Sequence, residues 1–147
     1  KGPQLIEYNV RFGDPECQTL MTRWKGSILP LIRGSAQGDF GGLELEWEAP
    51  ASMCVVLASG GYPGSYEKGK AISGLSDAAA LPKVTVFHAG TALDGDQVVT
   101  SGGRVLSVTA IGDSIDEAAE RAYAAVDAID FEGKMVRRDI GWRARTR

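Results

Sequence analysis

Arg104-Val105-Leu106-Ser107-Val108-Thr109-Ala110-Ile111-Gly112-Asp113-Ser114-Ile115-Asp116-Glu117 decides the fold class. Arg104 to Ile111 is rich in β-branched and apolar residues and reads as a strand. Ser114 with Glu117 three residues later is a capping box, which marks a helix start. Ile115, Ala118, Ala119, Ala122, Val126 and Ile129 then recur at spacings of three and four, a single apolar stripe. Asp116, Glu117 and Glu120 fall in the first turn or on the outer face. Upstream, Met53 to Ser59 reads as a buried strand, and Ser59-Gly60-Gly61-Tyr62-Pro63-Gly64 as a tight loop. Lys83 to Ala89 and Gln97 to Thr100 read as strands on either side of an Asp94-Gly95 turn. Strands surrounding one main helix give an α+β class.

The composition bounds what such a chain does. Its 147 residues are 44% hydrophobic and 24% charged, which is globular rather than disordered. Glycine occurs 19 times, about twice the usual ~7%, which favours tight turns and short strands. The formal net charge is −3, which argues against a general nucleic-acid binder. The last segment, Lys134 to Arg147, carries +5 and the other 133 residues −8. In so acidic a chain a salt-bridged or substrate-facing tail is the expectation. Met53 to Ala58 is too short an apolar run to span a bilayer. Two cysteines, Cys17 and Cys54, make neither a disulfide framework nor a zinc site, and a reduced cytoplasmic setting is expected.

The first segment differs in character. Residue 1 is Lys rather than Met, and a strand follows at once, so the expectation is a piece of a longer protein. Gln4 to Phe12 alternates: Ile6, Tyr8, Val10 and Phe12 on one face, Glu7, Asn9 and Arg11 on the other. Gly13-Asp14-Pro15-Glu16 ends this strand and starts a helix, with Asp14 as N-cap and Pro15 at the first helical position. Helical spacing continues through Leu20, Met21, Trp24, Ile28, Leu29 and Ile32, divided at Gly26-Ser27. Gly34 to Pro50 reads as a connector with a short ordered piece.

Glu7, Asn9 and Arg11 are the first chemical candidate. A carboxylate and an amide oxygen two residues apart can hold one hard cation such as Mg²⁺, which in such sites also binds phosphate oxygens. An arginine one step further can stabilise a transferring phosphoryl or acyl group. A solvated strand face reads the same way. Gly64 to Ala71 imitates a phosphate-binding loop, but Ala71 lacks the hydroxyl for Mg²⁺ and Ile72-Ser73-Gly74 opens no helix. His88 is the one histidine, so a histidine metal cluster is excluded; a hydrogen-bonded structural role is expected. Cys54, in a buried strand, is expected to be inert.

Strings longer than these patterns carry a resemblance. Ile6-Glu7-Tyr8-Asn9-Val10-Arg11-Phe12-Gly13-Asp14-Pro15-Glu16 resembles the end of the ATP-grasp domain of the glycinamide ribonucleotide synthetase (phosphoribosylamine–glycine ligase) family. Val55 to Gly69, Val86-Phe87-His88-Ala89-Gly90-Thr91, Gly102-Gly103-Arg104-Val105-Leu106 and Arg138-Asp139-Ile140-Gly141 resemble its C-terminal domain, in the family's order. The resemblance implies an ATP-grasp end over 1–35, a connector over 36–51 and a β-rich C-terminal domain with one main helix over 52–147. It implies a ligase that joins phosphoribosylamine and glycine with ATP, through a glycyl phosphate, in purine synthesis. Glu7 and Asn9 match the pair that holds nucleotide-bound Mg²⁺ or Mn²⁺, and Arg11 a position facing the transferring phosphate. Asp14 is the candidate for an amine contact; Lys68, Lys70 and Arg104 are candidates for anion contacts. The family's parts that clamp adenine and phosphates precede this segment, so the chain alone is expected to be inactive and to need those N-terminal domains. Another ATP-grasp carboxylate–amine ligase and a stand-alone, non-catalytic binding module are the alternatives.

Overall fold

The computed structural model describes residues 2–146. In chain order the elements are α1 (Glu16–Arg23), β1 (Trp24–Lys25), α2 (Leu29–Gln37), β2 (Glu46–Trp47), β3 (Ala51–Ala58), α3 (Leu75–Ala79) and β4 (Val84–His88). They continue as β5 (Thr91–Asp94), β6 (Gln97–Thr100), β7 (Arg104–Gly112), α4 (Ile115–Ala128), β8 (Met135–Val136) and α5 (Trp142–Arg145). The central sheet has the order β4-β7-β3-β8, with every neighbour antiparallel.

Pleating gives this sheet two different faces. Met53, Val55 and Leu57 of β3 and Leu106, Val108 and Ala110 of β7 pair across the ladder. They join Ala118, Ala119, Ala122, Ala125 and Val126 of α4 in the core. Four alanines on the buried stripe let the helix lie close to the strands. Its start is fixed as the sequence requires: Ser114 Oγ accepts from the Glu117 N–H at 3.2 Å, and Glu117 Oε2 accepts from the Asp113 N–H at 2.7 Å. A side-chain cap of this kind contributes about 1 kcal/mol.

The opposite face carries smaller and more polar groups: Cys54, Val56 and Ala58 from β3, and Ser107 and Thr109 from β7. Helix α1 packs against β3 and β7, and Ser52 Oγ donates to the Thr19 carbonyl at 3.2 Å. Arg23 Nε donates to the Ala49 carbonyl at 2.8 Å. The connector's ordered piece is β2, which pairs with β1 through Trp24–Trp47 and Lys25–Glu46. Those tryptophan rings meet edge-on at 5.6 Å. The hairpin β5–β6 turns at Gly95, whose φ of +60° suits glycine. Gly103 has a steric reason as well, since a Cβ there would run into the Tyr62 ring.

Two expectations fail at the start of the chain. Gln4 to Phe12 is not a strand, and its apolar side is not buried. Gly2 to Phe12 is exposed throughout, with Ile6 at 95%, Tyr8 at 83% and Val10 at 100%. A strand exists only as part of a ladder, and among the described residues none pairs with this stretch. Asp14 is not the N-cap of α1. Pro15 holds the cap position, the helix begins at Glu16, and the Glu16 carboxylate turns back to accept from the Gly13 N–H at 3.2 Å. Asp14 points instead at β7.

The remaining differences concern short elements. α3, β5, β8 and α5 have five, four, two and four residues, too few for a period to show. The strand that meets β6 across the Asp94-Gly95 turn is β5, while the expected strand over 83–89 pairs with β7 instead. The basic tail is salt-bridged: Arg137 to Asp139, Arg138 to Asp127 and Arg145 to Asp116. No helix is long and apolar enough to cross a membrane among the described residues.

Candidate functional site

Residues 7–16 wrap a polar cavity of about 330 Å³, lined by Glu7, Asn9, Arg11, Asp14, Glu16 and Arg104 together with Gly13 and Pro15. The i, i+2, i+4 spacing survives the lack of a ladder. Asn9 Nδ2 donates to Glu7 Oε1 at 2.7 Å, and Arg11 donates to Asn9 Oδ1, so the three form one hydrogen-bonded row. The row presents a carboxylate, an amide oxygen and a guanidinium to one space. Asp14 and Arg104 close the opposite wall. Arg104 donates to the Asp14 carbonyl at 2.8 Å and pairs with its carboxylate at 3.1 Å. Gln18 Nε2 also donates to Asp14 Oδ1, at 2.9 Å.

The donor set suits a hard cation held in part by something else. Glu7 and Asn9 offer two oxygens, and no group of three or more His, Cys, Asp or Glu able to hold a metal exists among the described residues. Two protein oxygens fit Mg²⁺ or Mn²⁺ where phosphate oxygens and water supply the remainder.

Lys68 and Lys70 lie away from this cavity. Lys68 is exposed on the loop before Gly69. Lys70 sits between Glu67 at 2.8 Å and Glu132 at 3.0 Å. The hydrogen bonds that Lys70 donates to these carboxylates raise its pKa, and Lys70 in turn lowers that of Glu67. The loop that imitates a phosphate-binding motif leads into an isolated bridge, Ala71 to Val99, and not into a helix. His88 is exposed and shares a 3.0 Å hydrogen bond between Nδ1 and Thr91 Oγ1. Burial pushes the Cys54 thiol pKa up, which keeps it protonated and unreactive.

Sequence reasoning missed a second cavity. A cleft of about 640 Å³ adjoins the first, floored by Cys54, Val56 and Ala58 and walled by Tyr62, Val136 and Ile140. Arg104 and Arg137 add basic side chains to its lining, whereas Lys134, also at its edge, turns its ammonium to the Val126 and Ile129 carbonyls at the end of α4. Its outer wall depends on β8, a two-residue strand with no periodic signal. Arg104 lines both spaces.

A four-stranded antiparallel sheet with its main helix on one face defines a two-layer α+β domain, here with a polar cavity on the other face. Residues 52–143 match the family described as phosphoribosylglycinamide synthetase, C domain. The chain belongs to that family. A protein named phosphoribosylamine–glycine ligase from Rhizobium meliloti (strain 1021) is 55% identical over 144 residues, 98% of this chain and 34% of that protein. One from Arabidopsis thaliana, named phosphoribosylamine–glycine ligase, chloroplastic, is 53% identical over 97% of this chain and 27% of its own length. The crystal structure of phosphoribosylamine–glycine ligase from Thermotoga maritima matches with a TM-score of 0.71 and 35% identity, over 93% of this chain and 33% of that one. The chain thus spans about a third of the length of the curated relatives it matches.

Proposed function

We propose that this chain is the C-terminal part of an ATP-dependent ligase that joins phosphoribosylamine to glycine, giving glycinamide ribonucleotide, ADP and phosphate. The observation that carries it is identity of 55% across 98% of the chain to a protein bearing that ligase's name. In this reading residues 1–35 end an ATP-grasp domain, 36–51 connect, and 52–147 form the β-rich C-terminal domain. The domains that bind adenine lie in the rest of the protein, and this chain alone has no ligase activity. The setting is the cytoplasm.

The chemistry assigns a role to each group around the polar cavity. A glycine carboxylate oxygen attacks the γ-phosphorus of ATP, and ADP leaves. The amine of phosphoribosylamine then attacks the acyl carbon of glycyl phosphate, loses a proton, and expels phosphate. Glu7 and Asn9 would hold the divalent ion that accompanies the nucleotide. When bound, that ion neutralises charge on the phosphate oxygens. Arg11, at the end of the same row, stabilises the negative charge that grows on the transferring phosphoryl group. Asp14 accepts a hydrogen bond from the amine of glycine or of the sugar. Lys68 stays in the proposal as an exposed cation for the sugar phosphate. Lys70 and Arg104 have a weaker claim to that anion, since carboxylates already engage both.

The test is reconstitution. This chain is combined with a separately expressed N-terminal part of the same protein, and ADP release is followed with ATP, glycine and phosphoribosylamine. ADP release that needs both pieces, and that Glu7→Gln lowers by roughly a hundredfold or more, is the expected result. A demonstrated complex without turnover would contradict it.

A further inference from the structure

The register of the central sheet decides where Arg104 goes. Leu106, Val108 and Ala110 of β7 all face the core. Unbroken pleating would send Val105 to the opposite face and Arg104 into the core. Instead the register steps between Leu57 and Ala58: Leu57 pairs with Leu106, but Ala58 pairs with Arg104. Val105 is the extra residue. It turns inward and is fully buried beside Leu106, and Arg104 emerges next to Ala58 on the cavity side. Re-aiming one side chain in this manner is what a β-bulge does.

What Arg104 meets there is Asp14, ninety residues earlier in the chain. The other bonds of the turn are local. Gly13 N–H goes to Glu16, Gln18 to Asp14, and Cys17 N–H to the Gly13 carbonyl at 2.8 Å. Among the described residues, the Arg104–Asp14 contact is the one hydrogen-bonded or ionic link between residues 7–16 and anything beyond helix α1, whose Thr19 Oγ1 donates to the Glu16 carbonyl at 2.7 Å. It grips two kinds of oxygen on one residue, the backbone carbonyl and the carboxylate. A planar guanidinium with two such bonds fixes orientation as well as distance, which an ammonium does not.

We propose that Arg104 is a positioning residue. Aimed by the bulge at Val105, it holds the Gly13–Glu16 turn against the C-terminal sheet, and thereby sets the Glu7–Asn9–Arg11 row relative to that sheet. The mechanical part stands on this geometry alone; the consequence for turnover rests on the ligase reading.

Two measurements test it. The first is hydrogen exchange on the 147-residue chain as wild type, Arg104→Gln and Arg104→Lys. Exchange of the Gly13 and Cys17 amides is expected to speed up about fivefold in Arg104→Gln, the scale of one exposed ion pair with a hydrogen bond. Arg104→Lys is expected to fall between. The amides of Val55 and Val108 report that the sheet is intact. A change under about twofold at Gly13 and Cys17, with the sheet intact, overturns the proposal.

The second is a double-mutant cycle in the full-length ligase carrying this segment. Arg104→Gln is expected to lower kcat roughly tenfold with little change in the KM for ATP. Arg104→Lys is expected to recover part of that loss. In an Asp14→Asn background the same substitution is expected to cost clearly less, about threefold, because the carboxylate half of the grip is already gone and the bond to the Asp14 carbonyl is what remains to lose. A raised KM for phosphoribosylamine that persists undiminished in that background would make Arg104 a substrate contact and overturn the positioning role. A loosened turn in the first measurement, with no turnover in any full-length version, would uphold the clamp and remove the ligase reading.

Discussion

β3 and residues 4–12 both carry apolar side chains in a strand-like pattern, and they end in opposite states. β3 is flanked by β7 on one side and β8 on the other, and its inward side chains vanish beneath α4. Residues 4–12 form no strand and bend at Val10 and Arg11, with Ile6, Tyr8 and Val10 almost wholly in water. The difference lies in partners. A ladder satisfies the backbone and a second layer covers the face; β3 has both, and residues 4–12 have neither among the described residues. What the unpaired segment does keep is its polar row, Glu7–Asn9–Arg11, joined by its own side-chain bonds and tied at its far end to β7 through Asp14. On the proposed reading, the packed region serves as the frame and the unpaired one as the chemical edge.

Paired substitutions sharpen that contrast. Leu57→Ala removes a side chain with no exposure and is expected to cost about 3 kcal/mol. Val10→Ala, at full exposure, is expected to lie within about 0.5 kcal/mol of wild type. Urea melts of the two variants decide the matter, and equal losses would break the comparison. Ser114→Ala removes the α4 cap and is expected to cost about 1 kcal/mol in the same melts.

The smallest expected effect is electrostatic. Lys70 lowers the pKa of Glu67 below its ordinary value near 4.5. A carboxylate depressed on folding adds stability above that ordinary value and loses it as pH falls through the folded one. Glu67→Gln is therefore expected to be slightly less stable than wild type at neutral pH. The gap is expected to close as the pH falls below about 4.5, measured by thermal melts across pH 2.5 to 7. A gap that widens in acid would reverse the sign of the assignment.

How much of this was written in the sequence varies by region for physical reasons. α4 was legible because Ser114, Glu117 and a stripe of small apolar residues all point to one helix, and no local signal opposes them. β3, β6 and β7 were legible because their strands are fully or half buried and long enough to show it. The strand expected over Gln4 to Phe12 has an equally clear pattern, but alternation names a face and not a partner. Asp14 as N-cap failed because its carboxylate is taken by other partners: Gln18 donates to one oxygen, and Arg104, distant in sequence, pairs with the other. The cavity was legible in Glu7, Asn9 and Arg11, whose spacing puts them on one side of any extended chain. Arg104's place in its wall was not, because it depends on a one-residue register step that no period reveals. The adjoining cleft was invisible for a similar reason, as β8 is two residues long.

The most direct measurement compares residues 4–12 in two settings. Amide hydrogen exchange is recorded for the 147-residue chain alone and for the same segment within the full-length protein. In the isolated chain these amides are expected to exchange at nearly unprotected rates, while those of β3 and β7 are strongly protected. Within the full-length protein the 4–12 amides are expected to slow by roughly a hundredfold or more, as the segment takes its place in a ladder and the Glu7–Asn9–Arg11 row is fixed at a nucleotide site. Unprotected exchange over 4–12 in a full-length protein that turns over ATP, glycine and phosphoribosylamine would contradict that account of the segment.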